Sequence, residues 1–271
     1  MHDNTANRGF TLIELSIVLV IIGLIVGGIV VGQSLIRQSQ INSAISDEQR
    51  YVQAVLNFQQ KYSALPGDFS NATTYWGAGG TCPSDSTHIL VPPLTCNGDG
   101  NGQIGTTGSG GTYSATSAIA YNELFLFWEH LVDAGFISGK YNGTTGTGGG
   151  ATQDHVLGTN APFSRVDGAG FGVDWVGVLS GNPAPHDYYD NSYGHVLILG
   201  SYSSNNLPVG TIFTPAEAFS IDSKYDDGIP STGNISTWQM TTGFTPNCVT
   251  SATAYATTTG YKCSMIFITG F

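Results

Sequence analysis

The stretch RGFTLIELSIVLVIIGLIVGG, Arg8 to Gly28, places a lone carboxylate, Glu14, inside an otherwise apolar run. A charge at the centre of a bilayer costs at least about 2.5 kcal/mol, so one that persists there needs a partner and a purpose. Read as a helix at about 1.5 Å per residue, Phe10 to Gly32 reaches roughly 35 Å, against a hydrocarbon core of about 30 Å. After Glu14 no further charge occurs before Arg37. A secretory signal would carry its small-residue cleavage site behind the apolar core, whereas Arg8 and Gly9 stand in front of it. The apolar run is therefore expected to survive processing.

A short polar leader, then Gly-Phe-Thr-Leu-Ile-Glu and an apolar helix, resembles the prepilin signature of type IV pilins and type II secretion pseudopilins. That resemblance implies cleavage after Gly9 by a membrane prepilin peptidase and N-methylation of the new terminal residue, Phe10. It also implies a role for Glu14, whose carboxylate would meet the terminal ammonium of a neighbouring subunit and so set the register of a filament. The implied partners are other copies and other pilins, the peptidase and an inner-membrane assembly platform. The implied location is the bacterial inner membrane, single-pass with the head outside the cytoplasm, and then a periplasmic or extracellular filament. Gly23 with Gly27, and Gly28 with Gly32, give two small-xxx-small spacings for close helix approach.

The chain has 271 residues, of which 10% are charged, and 19 acidic against 8 basic residues give a net charge of -11. Phosphate binding needs basic clusters that are absent, so nucleic acid is not indicated as a partner, while cations are permitted. The helical pattern continues beyond the membrane run: Ile41, Ile45, Val52, Val55, Leu56 and Tyr62 recur at three-, four- and seven-residue intervals among polar residues. This amphipathic half should pack a head on its Ile41, Val52 and Val55 face and stop near SALPGD, Ser63 to Asp68. The expected organisation is a leader at 1–9, an assembly helix at 10–35, an amphipathic half at 36–65 and a globular head at 66–271.

Within the head, SAIAYNELFLFWEHLVDA, Ser117 to Ala134, reads as a buried helix closed by Gly135, with Tyr121, Phe125 and Trp128 in the core. Strand-like runs follow at DWVGVLSG from Asp174, HVLILGS from His195 and CSMIFITGF from Cys263, which predict an antiparallel sheet. A short helix is expected at TPAEAFSIDSKY, where Thr214, Pro215 and Glu217 form an N-terminal signal. The fold class is α+β and resembles the pilin plan, with a long N-terminal helix packed on a head that holds an antiparallel sheet and extra short helices.

The four cysteines allow three connectivities. An extracytoplasmic compartment and local closure favour Cys82 with Cys96 and Cys248 with Cys263; the second resembles the disulfide-bounded terminal loop of many pilins. Free buried thiols are the alternative. Zinc is disfavoured because no histidine stands beside them at ligand spacing.

Two acidic groups are candidates for a cation, calcium by charge and hardness. In CNGDGNGQIG, Asn97, Asp99 and Asn101 alternate ahead of Gly102, as in the front of an EF-hand loop. Gly108 stands where the bidentate glutamate belongs, so a carboxylate from elsewhere would be needed, with Glu123 the candidate. The second group, Asp222, Asp226 and Asp227, crowds three carboxylates that repel unless a cation, Lys224 or solvent offsets them, and is the preferred one. For both, an Asx-Gly turn without an ion is the competing reading.

No enzyme motif stands out. The GxGxxG match at Gly100, Gly102 and Gly105 follows no strand, and HExxH, GxSxG and P-loop patterns are absent. His88, His130, His155, His186 and His195 are scattered. The sequence therefore points to a non-enzymatic subunit of a type IV pilus-type filament. The alternatives are a type II secretion pseudopilin and a minor tip pilin acting as adhesin or carbohydrate binder, using Trp76, Tyr188, Tyr189 and Tyr193.

Overall fold

The computed structural model describes residues 10–78, 95–105, 118–144, 154–180, 188–204, 206–238 and 247–271, without the side chains of 118–122. The chain divides into two compact units, 1–43 and 44–271. Helix α1, Leu12–Tyr62, is continuous across that division.

From Leu15 to Gly32 the helix is apolar on nearly every side, with Leu24 73% and Val31 61% exposed. A helix of that kind belongs either in a large core or in lipid. Its apolar window is long enough to cross a membrane, and none of it is buried within the protein. The faces at Gly23, Gly27, Gly28 and Gly32 are open, with nothing among the described residues within 4 Å of a Cβ placed there.

In the second unit, the remaining part of α1 buries Ala44, Ile45, Tyr51, Ala54, Val55 and Phe58. The stripe thus runs through Tyr51 and Phe58, large rings that out-compete Val52, which is only half-buried at its margin. Ser63 ends the helix in the left-handed region (φ 54°), its N–H donating to Gln59 O at 2.8 Å, just ahead of Pro66 and Gly67. A short helix α2, Ala72–Trp76, follows.

Helix α3, Ala118–Asp133, agrees with the expected buried helix, and Gly135 takes the positive φ (77°) of a C-terminal cap. Leu124 to Trp128 are completely enclosed. Tyr51 meets Trp128 edge-on at 5.1 Å and Phe171 at 5.2 Å, so one α1 ring joins α3 to the sheet.

The strands are β1 (Ala169–Leu179) and β2 (Asn191–Ser201), then, after helix α4 (Pro215–Tyr225), β3 (Ile235–Ser236), β4 (Val249–Ser251), β5 (Ala254–Tyr255) and β6 (Met265–Ile268). The main sheet has the order β1-β2-β6-β3 and every pair is antiparallel; β4 and β5 form a separate hairpin. Side chains alternate across it. Val196, Ile198 and Ile266 point into a cluster with Tyr188, Tyr193 and Trp238. Phe171 and Val173 pair with Leu199 and Leu197 on the opposite face, the one Tyr51 touches. Both faces are buried, which accounts for the nearly continuous apolar runs. Gly177 (φ 74°) carries the irregularity in the β1–β2 register.

Cys248 is joined to Cys263, which tethers the start of β4 to the start of β6. Cys96 is buried, while its proposed partner Cys82 lies outside the described residues. Asp222, in the last turn of α4, accepts from the hydroxyl of Tyr255 in β5, and Asp68 lies in the turn that follows α1.

Candidate functional site

The first site is at the start of α1. Thr11 is the residue before the helix and Glu14 its third position. The Thr11 N–H and hydroxyl both donate to Glu14 Oε2 at 2.8 Å, and the Glu14 N–H donates back to Thr11 Oγ1 at 3.3 Å. This is a reciprocal capping box. Among the described residues, both of the carboxylate's partners are on Thr11, and Phe10 beside it is exposed. The T-x-x-E spacing ahead of an apolar run is the sequence signal for Thr11's part in it.

The second site is an acidic centre built around residues 95–105. Gly67 (φ 86°) lets the Pro66-Gly67-Asp68 turn lie against α3, since a Cβ there would fall 2.5 Å from Glu123 O. That approach brings Asp68 beside Glu123. The loop then folds over both. Asp68 Oδ1 and Oδ2 accept from the N–H groups of Asn101 and Gly102, each at 2.9 Å. Glu123 Oε1 and Oε2 accept from Asp99 N at 2.9 Å and Gly105 N at 3.3 Å.

Two neutral histidines pin the same loop from outside. Gly67 N donates to His130 Nδ1 at 2.9 Å, so Nε2 carries the proton and donates to Cys96 O at 3.1 Å. Ile104 N donates to His195 Nε2 at 3.1 Å, and Nδ1 donates to Phe271 O at 2.8 Å. Burial holds both rings down at about 4. These are satisfied core histidines, and their nitrogens are spent on backbone; His88 and His186 lie outside the described residues.

Ligand atoms of Asp68, Asp99 and Glu123 all lie within 4.8 Å of one another. An ion about 2.4 Å from each oxygen fits that spacing. Burial raises Glu123 to about 8 and also raises Asp68, despite the N–H groups that both accept. The structure thus brings Asp99 and Glu123 together and adds Asp68, which the sequence offered only as part of a helix terminator. Asn97 is turned away, its Oδ1 accepting from Thr73 N at 2.9 Å. Asn101 faces Asp99, donating through Nδ2 to Oδ2 at 2.9 Å.

Asp222, Asp226 and Asp227 form the second acidic group within the same 4.8 Å limit. Neutral donors satisfy these carboxylates too. Asp222 accepts from Gly228 N at 3.1 Å and Tyr255 OH at 2.8 Å; Asp226 from Ile235 N at 2.8 Å; Asp227 from Ile229 N at 2.8 Å and Thr232 OH at 2.6 Å. Lys224 lies over the Tyr225 ring at 4.9 Å. Burial raises Asp222 to about 6.

The aromatic residues considered for sugar contact are largely interior. Tyr188 and Tyr193 are buried against Trp238, and Tyr189 and Trp76 are half-buried.

A long apolar N-terminal helix whose later half packs in an α+β head with an antiparallel sheet defines the pilin-like class. Residues 4–30 match the model of the prokaryotic N-terminal methylation motif. The chain therefore carries the prepilin-type N terminus that type IV pilins and pseudopilins share. No curated protein and no solved structure matches it.

Proposed function

We propose that this chain is a structural, non-enzymatic subunit of a type IV pilus-type filament. Prepilin peptidase removes residues 1–9 and Phe10 becomes the methylated terminus. Residues 10–35 lie in the inner membrane with the head outside the cytoplasm, and the assembly platform delivers the helix into a bundle with other copies and other pilins. The observation that carries this reading is Glu14, a carboxylate whose described partners are confined to Thr11, within a helix whose apolar faces are all open. In a filament those faces bury one another, and the neighbour's terminal ammonium neutralises Glu14.

The test has two arms. Mass spectrometry of assembled material should find Phe10 as the terminus with one added methyl group. Glu14→Ala should insert and fold its head yet lose filaments. An intact Met1 in assembled protein, or normal filament yield from Glu14→Ala, would refute the reading. A type II secretion pseudopilin shares the N-terminal motif and is the second reading, separated by whether deletion abolishes surface pili or protein secretion. The adhesin reading is the weaker one, because Tyr188 and Tyr193 are enclosed.

We also infer a structural calcium ion in the head. Asp68, Asp99 and Glu123 offer hard oxygens at fitting separations, and a desolvated carboxylate group without a described basic partner favours a cation. The Asp222 group is the less favoured, since only one of its three carboxylates is buried, against two in the Asp68 group. Calorimetric titration that loses calcium binding in Asp99→Asn and keeps it in Asp226→Asn places the ion; the opposite pattern moves it to the Asp222 group.

A further inference from the structure

Three Asn-Gly pairs occur in the described residues, at Asn97, Asn101 and Asn142, and their surroundings differ sharply. Asn97-Gly98 is locked. Its side chain accepts from Thr73 N, Gly98 N donates to the main-chain carbonyl of Phe69 at 3.0 Å, and a Cβ on Gly98 would collide with Gly67 O and the Asp68 backbone. Asn142-Gly143 is also enclosed, with Gly143 buried against Glu129 and Leu126. Asn101-Gly102 is open. Both residues are exposed, and among the described residues nothing lies within 4 Å of a Cβ placed on Gly102.

The groups around Asn101 are those that cyclisation of an asparagine requires. Gln103 N donates to Asn101 Oδ1 at 2.7 Å, which polarises the side-chain carbonyl and folds it back over the 101–102 peptide. Gly102 N, the nucleophile, donates its proton to the Asp68 carboxylate at 2.9 Å. Asn101 Nδ2, the leaving group, is held by Asp99 Oδ2 at 2.9 Å.

We propose that Asn101 is a self-modification site, converted through a succinimide with Asp68 as proton acceptor. The bond from Gly102 N to Asn101 Cγ forms as the Gly102 amide proton passes to Asp68. The Cγ–Nδ2 bond then breaks, and the nitrogen leaves as ammonia with the proton relayed from the carboxylates. Water opens the five-membered ring at either carbonyl, giving an aspartyl or isoaspartyl residue at position 101. No oxidant or cofactor enters. The product adds a carboxylate beside Asp68, Asp99 and Glu123, so ageing makes this centre more acidic. The inference does not rest on the filament reading, and it concerns the ion-free centre, since a cation on Asp68 would occupy the proton acceptor.

The test is peptide mapping by mass spectrometry of the full chain, purified in detergent and aged at neutral pH without divalent cations. Amide-to-acid conversion with isoaspartate should be at least about tenfold faster at Asn101 than at Asn97 or Asn142, since only there are the reacting groups placed and free to close. Asp68→Asn should slow Asn101 by at least about tenfold, and Asp68→Glu should recover most of the rate. Asn97 in the same digest serves as the control for a loosened loop, because loosening would raise its conversion. Equal conversion at the three pairs, or an intact Asn101 after ageing that converts the same pair in the unfolded chain, overturns the proposal. A rate at Asn101 unchanged by Asp68→Asn overturns the role of Asp68.

Discussion

Glu129 has one satisfied oxygen and one that is not. Oε2 accepts from the Thr95 hydroxyl at 2.8 Å, while Oε1 is buried without a donor among the described residues, and the residue is 1% exposed. Burial, reinforced by nearby Asp133, raises it to about 8, so it is a neutral acid at pH 7. Because the folded value lies above the ordinary 4.5, its contribution to stability is full below that value and is lost as pH rises through about 8. Glu129→Gln keeps an acceptor for Thr95 and removes the titration. Its melting temperature should equal the parent's in mild acid and exceed it above about pH 8; a variant that melts lower at both would mean that Glu129 serves as a charged group.

At the scale of elements, α4 offers a clean measurement. The Glu217 N–H donates to Thr214 Oγ1 at 3.1 Å and the Thr214 N–H donates to Glu217 Oε2 at 2.8 Å, with Pro215 in the first turn. Thr214→Ala should cost about 1 kcal/mol in chemical denaturation, and Thr214→Ser should recover most of it; no loss in the alanine variant would mean that packing alone holds α4. That helix was legible because its signals lie within four residues. The same locality made the membrane half of α1, α3, the later parts of β1 and β2, and β6 readable from period and composition, while the glycine-bearing starts of β1 and β2 carry no such signal. The acidic centre was legible only in part. Asp99 and Glu123 stood out as charges in the right setting, but Asp68 joins them through a backbone approach at Gly67 that no spacing encodes. His130 and His195 pin the loop from a helix and a strand far away in sequence, so their pairing with Gly67, Cys96 and Ile104 appears only once the core has packed. The amphipathic half of α1 was read in the right period but with Val52 for Tyr51 and Phe58, since periodicity finds a face and ring size decides its centre.

For the whole molecule, buried titrating groups set a pH profile that calcium should reshape. His130 and His195 have folded values near 4, below their ordinary 6.5, so their stabilisation is complete above 6.5 and is lost as pH falls toward 4. Glu123 and Glu129 run the other way, complete below 4.5 and lost as pH rises through about 8. Between about pH 4.5 and 6.5 the two slopes oppose each other, and without metal these four groups place the stability maximum there. A calcium ion at Asp68, Asp99 and Glu123 would hold Glu123 ionised in the fold and cancel its share of the alkaline loss, because ligands must be deprotonated to bind. Melting curves of the detergent-purified chain should therefore fall on both sides of that window in chelator. In excess calcium the alkaline side should rise while the acidic side, set by the histidines, stays where it was. Glu123→Gln should show a shallower alkaline fall in chelator and little response to calcium. If calcium leaves the alkaline side of the parent unchanged, the three carboxylates are turn formers held by backbone N–H groups, and the calcium reading is lost while the histidine limb still stands.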